Sequence, residues 1–82
     1  KNDRNTIEEQ LYYQELKERH EMIVHALPAR RRRIYELSFN KELSCPVIAG
    51  IMSLSSRTVE GQLLVARKTV RACLRNELNK VG

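Results

Sequence analysis

Between Ser55 and Arg75 the chain places Arg57, Glu60, Gly61, Leu64, Arg67, Lys68, Arg71 and Arg75 at helical intervals. On a helix, positions three and four apart stand over one another, so these residues form a mostly basic stripe. The chemistry open to such a stripe is recognition of a polyanion. An arginine fork fits the two acceptors of guanine, and a leucine or threonine methyl can touch the methyl of thymine. Bases further along can neutralise phosphates. The candidate contacts are therefore Ser55, Ser56, Arg57, Thr58, Glu60, Gly61, Gln62 and Leu64, with Arg67, Lys68 and Arg71 nearer the phosphates. Glu60 can accept from a cytosine amino group or pair with Arg57 or Lys68. Leu64 suits a DNA methyl or a protein partner. Gly61 costs about 1 kcal/mol relative to alanine inside a helix. Close approach to DNA would account for it, and so would tight helix packing. A second basic group, Arg30-Arg31-Arg32-Arg33, points around most of a helical turn. Arg31 and Arg32 are its candidate contacts to a nucleic-acid backbone, against a solvated face as the plain alternative.

Charge bears on the same question. The chain has 82 residues, with 15 Lys and Arg against 10 Asp and Glu, a net of +5. The excess is not spread evenly. Residues 1–26 carry four bases and six acids, whereas residues 27–82 carry eleven bases and four acids. The basic two-thirds is the part suited to a polyanion. Apolar residues make up 41%, enough for a folded domain. A chain of this length supports one modest core and leaves little room for a deep catalytic cleft. No Ser/His/Asp set has a believable arrangement, so no catalytic residue is assigned. Cys45 and Cys73 lie far apart, and His20 and His25 lack ligand partners, so neither a metal nor a cofactor is expected. The cysteines read as packing thiols. No apolar stretch is long enough to span a membrane, and no apolar leader opens the chain, so the cytoplasm is the expected compartment.

Four helices must position these residues. Thr6-Ile7-Glu8-Glu9 is a capping-box pattern, which starts a first helix that runs to about His25. Its expected inward positions are Ile7, Leu11, Tyr12, Leu16, Ile23 and Leu27. Residues 1–5 read as a linker remnant, and residues 6–82 as a single helical domain. Pro28 divides the first helix from a second over Ala29 to Phe39. Ser44 caps a short third helix, Cys45 to Met52, with Pro46 in its first turn. Ile48, Ile51 and Met52 supply its buried side, with small Ala49 among them. After Ser53-Leu54-Ser55, Ser55 caps a fourth helix from Ser56 to about Leu78. Its apolar stripe is Val59, Leu63, Ala66, Val70, Leu74 and Leu78, in steps of 4, 3, 4, 4 and 4. The expected fold is all-α, a small four-helix domain with a C-terminal helix-turn-helix over about residues 44–78, winged-helix-like but without a wing. Ala49 is small enough for the helices to cross closely, Leu54 plugs the turn, and Val59 faces back to the core.

These segments resemble a known family. Leu27-Pro28-Ala29-Arg30-Arg31-Arg32-Arg33-Ile34-Tyr35-Glu36-Leu37-Ser38 looks like the LPxRxRxVFxLS opening of region 4 of bacterial sigma factors. Leu43-Ser44-Cys45-Pro46-Val47-Ile48-Ala49 is similar to LSYxEIA, and Ser55-Ser56-Arg57-Thr58-Val59-Glu60-Gly61-Gln62-Leu63 to SxxTVxxxL, extended by Ala66-Arg67-Lys68. The three stand in order with the right gaps across roughly residues 10–78. The compact form resembles the extracytoplasmic-function group. The resemblance implies binding of double-stranded promoter DNA at the −35 element through the fourth helix. It further implies docking on the β flap of core RNA polymerase and capture by an anti-sigma factor. It makes the chain one part of a longer protein that carries region 2. The chain departs from the pattern at Ser53, where the family usually has glycine, and at Pro46 and Gly50, which replace charged residues. Serine is less comfortable than glycine at positive φ, so the turn is expected to differ slightly.

Two other functions fit a basic helix-turn-helix. One is the output domain of a response regulator or quorum-sensing activator. That family is about one residue shorter between its opening leucine and the alanine that Ala49 matches. It also usually carries Thr-Pro after that leucine, so the sigma pattern fits better. The other is a helical protein-interaction module, which predicts no salt-dependent DNA binding.

Overall fold

A computed structural model describes the backbone of residues 3–81 and the side chains of residues 8–76. It contains four helices, α1 (Asp3–His25), α2 (Ala29–Phe39), α3 (Cys45–Met52) and α4 (Ser56–Val81), with no strand among the described residues. The architecture is the all-α, four-helix arrangement that the apolar spacing predicts. The ends of α2 and α3 and the start of α4 fall where proline, serine and the polar breaks put them.

The start of α1 differs from the sequence expectation. The helix begins at Asp3, so Thr6 is an interior position rather than a cap, and the stretch 1–5 is already helical from Asp3. Asp3, Arg4 and Asn5 contain no helix breaker, and an acid at the first turn suits the helix dipole. The side chains of Thr6 and Ile7 lie outside the described residues. The buried face of α1 is also shorter than its apolar pattern. Val24 and Leu27 are buried, and Leu16 and Ile23 are half-buried. Leu11 and Tyr12, which the spacing points inward, are exposed. The cause is length. At about 1.5 Å per residue the 23 residues of α1 span about 35 Å. Of the two helices that α1 packs against, α2 has only 11 residues. The first turns of α1 therefore run past α2.

Pro28 stands at the N-cap of α2, and its carbonyl accepts from Arg32 N–H at 2.8 Å. Ile34 and Tyr35 form its buried side. Of the four arginines, Arg30 and Arg33 are exposed, and Arg31 and Arg32 are half-buried. Asn40 stands at the C-cap of α2, and its N–H donates to Glu36 O at 2.8 Å. Ser44 stands at the cap of α3 in extended conformation, and its carbonyl accepts from Ile48 N–H at 2.9 Å. Its hydroxyl makes no capping bond. Pro46 has removed one of the two N–H groups such a cap would accept from. Ile48 and Ala49 are buried and Met52 half-buried, whereas Ile51, expected inward, is 49% exposed. The inward arc of α3 is set by Cys45, Ile48, Ala49 and Met52, and a three-residue step from Ile48 carries Ile51 off its edge.

The turn into α4 is a tight left-handed one. Ser53 sits at φ 58° and ψ 45°, the conformation for which the family pattern has glycine. The Ser53 and Leu54 N–H groups both donate to Ala49 O, the latter at 2.9 Å, closing a Schellman-type stop. Half-buried Leu54 packs against the core beneath it. The turn is thus made with serine in the glycine conformation. An L side chain there costs about 1–2 kcal/mol, and glycine loosens the unfolded chain by about 0.4–1 kcal/mol. Ser53→Gly should therefore raise the melting temperature by a few degrees in a thermal circular-dichroism scan. An unchanged or lower melting point would show that the turn carries no such strain.

The core comprises Val24, Leu27, Ile34, Tyr35, Ile48, Ala49, Val59, Leu63, Ala66 and Val70, with no buried charge among the described residues. The α4 stripe supplies four of these ten, so α4 is the axle on which the other helices pack. Leu74 is half-buried, and Leu78 lies outside the described side chains.

Candidate nucleic-acid interface

The outer face of α4 begins at its cap. Thr58 N–H donates to Ser55 Oγ at 3.1 Å, and the Ser55 hydroxyl donates to Thr58 Oγ1 at 2.9 Å. Ser55 thereby spends both its donor and its acceptor on the helix start. Thr58 keeps its own hydroxyl proton for a partner. The first-turn N–H groups and the helix dipole favour an anion at this end.

With Val59, Leu63, Ala66 and Val70 buried, the opposite side of α4 is fixed as the solvent face. Arg57, Thr58, Glu60, Gly61, Leu64 and Lys68 are exposed there, Leu64 by 54%, and Ser56 is half-buried. Arg57, Gly61, Leu64 and Lys68 follow steps of four, three and four, which makes a straight row. Among the described residues Glu60 pairs with neither Arg57 nor Lys68, so its carboxylate is free to accept. A Cβ placed on Gly61 would meet nothing within 4 Å. Packing inside the domain therefore does not require glycine, and open space lies above that position.

The remaining candidates are placed elsewhere. Arg31 Nε–H donates to Gln62 Oε1 at 3.3 Å, so these two half-buried residues hold each other across the α2–α4 crossing. Gln62 keeps its two amide protons and Arg31 its terminal nitrogens. At the other end of α2, Arg67 Nη2–H makes a long contact to Ser38 Oγ at 3.5 Å. Together these links brace α2 against α4 on both sides of buried Ile34 and Tyr35. Arg67 and Arg71 both turn toward α2, beside the Tyr35 hydroxyl. Burial pushes that hydroxyl above its ordinary pKa, and the charges of Arg67 and Arg71 partly offset the rise. Lys68 alone of the three basic residues shares the row of Arg57 and Leu64. Cys45 is half-buried and Cys73 exposed, both as free thiols.

Sequence reasoning passed over His20, Tyr35, Ser38 and Phe39 as site residues. The signal was present in two short rows, Tyr13, Leu16 and His20 on α1 and Tyr35 and Phe39 on α2, each spaced three or four apart.

No helix among the described residues is long and apolar enough to cross a membrane. No curated protein and no solved structure gives a significant match to the chain. The family model for Sigma-70, region 4, matches residues 17–70, from the middle of α1 through the capped start and exposed row of α4. That span includes the turn at Ser53, the α2–α4 braces and every candidate contact except Arg71. The match favours the sigma reading of the helix-turn-helix over the activator output domain. The chain belongs to the sigma-70 region 4 family, the DNA-binding helix-turn-helix domain of sigma factors, which is regulatory and not enzymatic.

Proposed function

We propose that this domain reads the −35 element of a promoter by laying the first turns of α4 in the major groove. The observation that carries the proposal is the exposed row of Arg57, Gly61, Leu64 and Lys68, fixed outward by the buried stripe on the other side of the same helix. Arg57 reads a guanine, Leu64 meets a thymine methyl and Glu60 faces an amino group on a base edge. Lys68 neutralises a phosphate, and Ser56 and Thr58 donate to phosphate at the helix start. Gln62 is steadied by Arg31 and offers its amide protons to the same backbone. Arg32, half-buried on α2, serves as a further phosphate contact. Arg67 and Arg71 contribute mainly to the field of the domain, because both lean toward α2. In this reading the protein acts in the cytoplasm as an extracytoplasmic-function type sigma factor. It docks on the β flap of RNA polymerase and is open to capture by an anti-sigma factor.

The experiment is a titration of the chain against duplexes carrying a −35-like element and against shuffled duplexes, at several salt concentrations. Tighter binding to the element at moderate salt is expected, as is binding to the isolated flap. Equal affinity for both duplex sets and no flap binding would refute the reading.

Gly61 gives a sharper check. Gly61→Ala should stabilise the domain by about 1 kcal/mol, since alanine is the better helix former and its methyl meets open space. The same methyl intrudes where the DNA comes closest, so affinity for the −35 duplex should fall as the melting temperature rises. A variant that melts higher and binds equally well would remove Gly61 from the contact surface.

A further inference from the structure

Arg67 and Arg71 stand one turn apart on α4, at the rim of an open groove of about 800 Å³ between α1, α2 and α4. Like charges at that spacing repel. Among the described residues neither arginine meets a carboxylate, and Arg67 reaches only the Ser38 hydroxyl, at 3.5 Å. Both charges bear on the buried Tyr35 hydroxyl and offset part of the rise that burial imposes on it. Two guanidinium groups therefore converge, without a counter-charge, on one end of the groove. Its floor is aromatic. The rings of His20 and Phe39 lie 4.7 Å apart, and those of Tyr35 and Phe39 stack at 5.7 Å with 10° between their planes. Phe39 is nevertheless 58% exposed, and Tyr13, which lines the same groove from α1, is 65% exposed. Acids stand next door. An adjoining depression of about 200 Å³ shares Lys17, His20, Tyr35 and Phe39 with the groove and carries Glu21 and Glu36. No α4 residue lines that depression, so the acids lie at the α1–α2 junction and the arginines at the α2–α4 junction.

We infer that this groove binds a nucleoside monophosphate, with its phosphate on Arg67, Arg71 and the Ser38 hydroxyl and its base on the exposed rings of Phe39 and Tyr13. The two ends of the site ask for different chemistry, and this ligand class carries both. Guanidinium forks match phosphate oxygens, and a dianion neutralises the two arginines together. Ser38 accepts from Arg67 and keeps its own proton for a phosphate oxygen. An aromatic side chain offers a base a stacking surface whatever the base is. The volume lies within the range of about 300–1,000 Å³ usual for small-molecule sites. A nucleic-acid strand fits less well. Its next phosphate in the direction of the adjoining depression would meet Glu21 and Glu36. Lys68 belongs to the DNA row on another side of α4, so groove and row can be occupied together. The inference stands apart from the promoter reading.

The test is a ¹H–¹⁵N NMR titration of the full chain. The probes are adenosine monophosphate, guanosine monophosphate, adenosine alone, inorganic phosphate alone and a single-stranded oligonucleotide. The expected result is saturable shifts at Ser38, Phe39, Arg67 and Arg71 with at least one nucleotide, and affinity at least about tenfold weaker for adenosine and for phosphate. Arg71→Gln and Phe39→Ala alter exposed side chains, so both variants should keep the native spectrum. Each should weaken the nucleotide about tenfold, Arg71→Gln through the phosphate and Phe39→Ala through the base. Phe39→Ala should also leave duplex binding through Arg57 intact. No saturable binding of either nucleotide would overturn the inference. So would phosphate or adenosine binding as tightly as the nucleotides, shifts centred elsewhere, indifference to both variants, or tighter binding of the oligonucleotide in the groove. A failed promoter titration would leave these outcomes unaffected.

Discussion

Ile48→Ala should remove about 2–5 kcal/mol of stability, the usual cost of truncating a fully buried isoleucine. Ile51→Ala, three residues along the same helix, should change it by no more than about 0.5 kcal/mol. The residue type and the helix are the same, and only the side differs. Ile48 has no exposure, lies in the centre of α3 and belongs to the core cluster with Ala49, Val59 and Leu63. Its loss leaves a cavity where the two helices of the motif meet. Ile51 is 49% exposed and leaves none. A domain of this length holds about 4–12 kcal/mol in total, so the first variant should be largely unfolded near the low end of that range. Urea denaturation followed by circular dichroism separates the two. Equal losses would mean that both isoleucines share the core and that the arc assigned to α3 is misplaced. The same mechanism extends to Val59 and Leu63, whose truncation to alanine should also destabilise the fold without altering any DNA contact.

Arg57→Ala should relax discrimination at one base pair of the −35 element, at a cost of about 1–3 kcal/mol for the matched sequence. Arg57 is exposed in the first turn of α4, one residue before Thr58, whose backbone N–H is capped by Ser55. The cap and the two braces to α2 set the direction from which its guanidinium would approach a base edge. Lys68→Ala should act differently. It should weaken all duplexes alike and reduce the salt slope by about one, as loss of a phosphate contact does. The measurement is a set of competition titrations with every single-base variant of the element, repeated across salt concentrations. If both variants lowered affinity for specific and random duplexes by the same factor, base reading would not belong to Arg57.

Much of this was legible before folding. Pro28, the Ser53-Leu54-Ser55 break and the stripe from Val59 to Val70 place the helices because their causes are local. A proline fixes φ, a serine caps the helix after it, and a 3.6-residue period aligns apolar groups. The family match from Lys17 to Val70 follows the same local signals. Leu11, Tyr12 and Ile51 show where local reasoning stops. Each has the residue type and spacing of a core position, yet each is exposed, because α1 outruns α2 and the inward arc of α3 excludes Ile51. Val24 is the opposite case, a core residue that the spacing along α1 did not select.

The basic residues divide along the same line. The sequence alone determined that α4 carries a row of bases opposite an apolar stripe, since both follow from helical period and composition. It could not say which bases share a surface. Arg67, Lys68 and Arg71 are near neighbours in the chain, and what separates them is the crossing of α2 over α4, held by Ile34 and Tyr35 and by the Arg31–Gln62 and Ser38–Arg67 contacts. That crossing draws Arg67 and Arg71 to an aromatic groove and leaves Lys68 beside Arg57 and Leu64. Helical period is a property of one segment, whereas the partition of a charged face depends on what packs against each side of it, and only the tertiary structure supplies that.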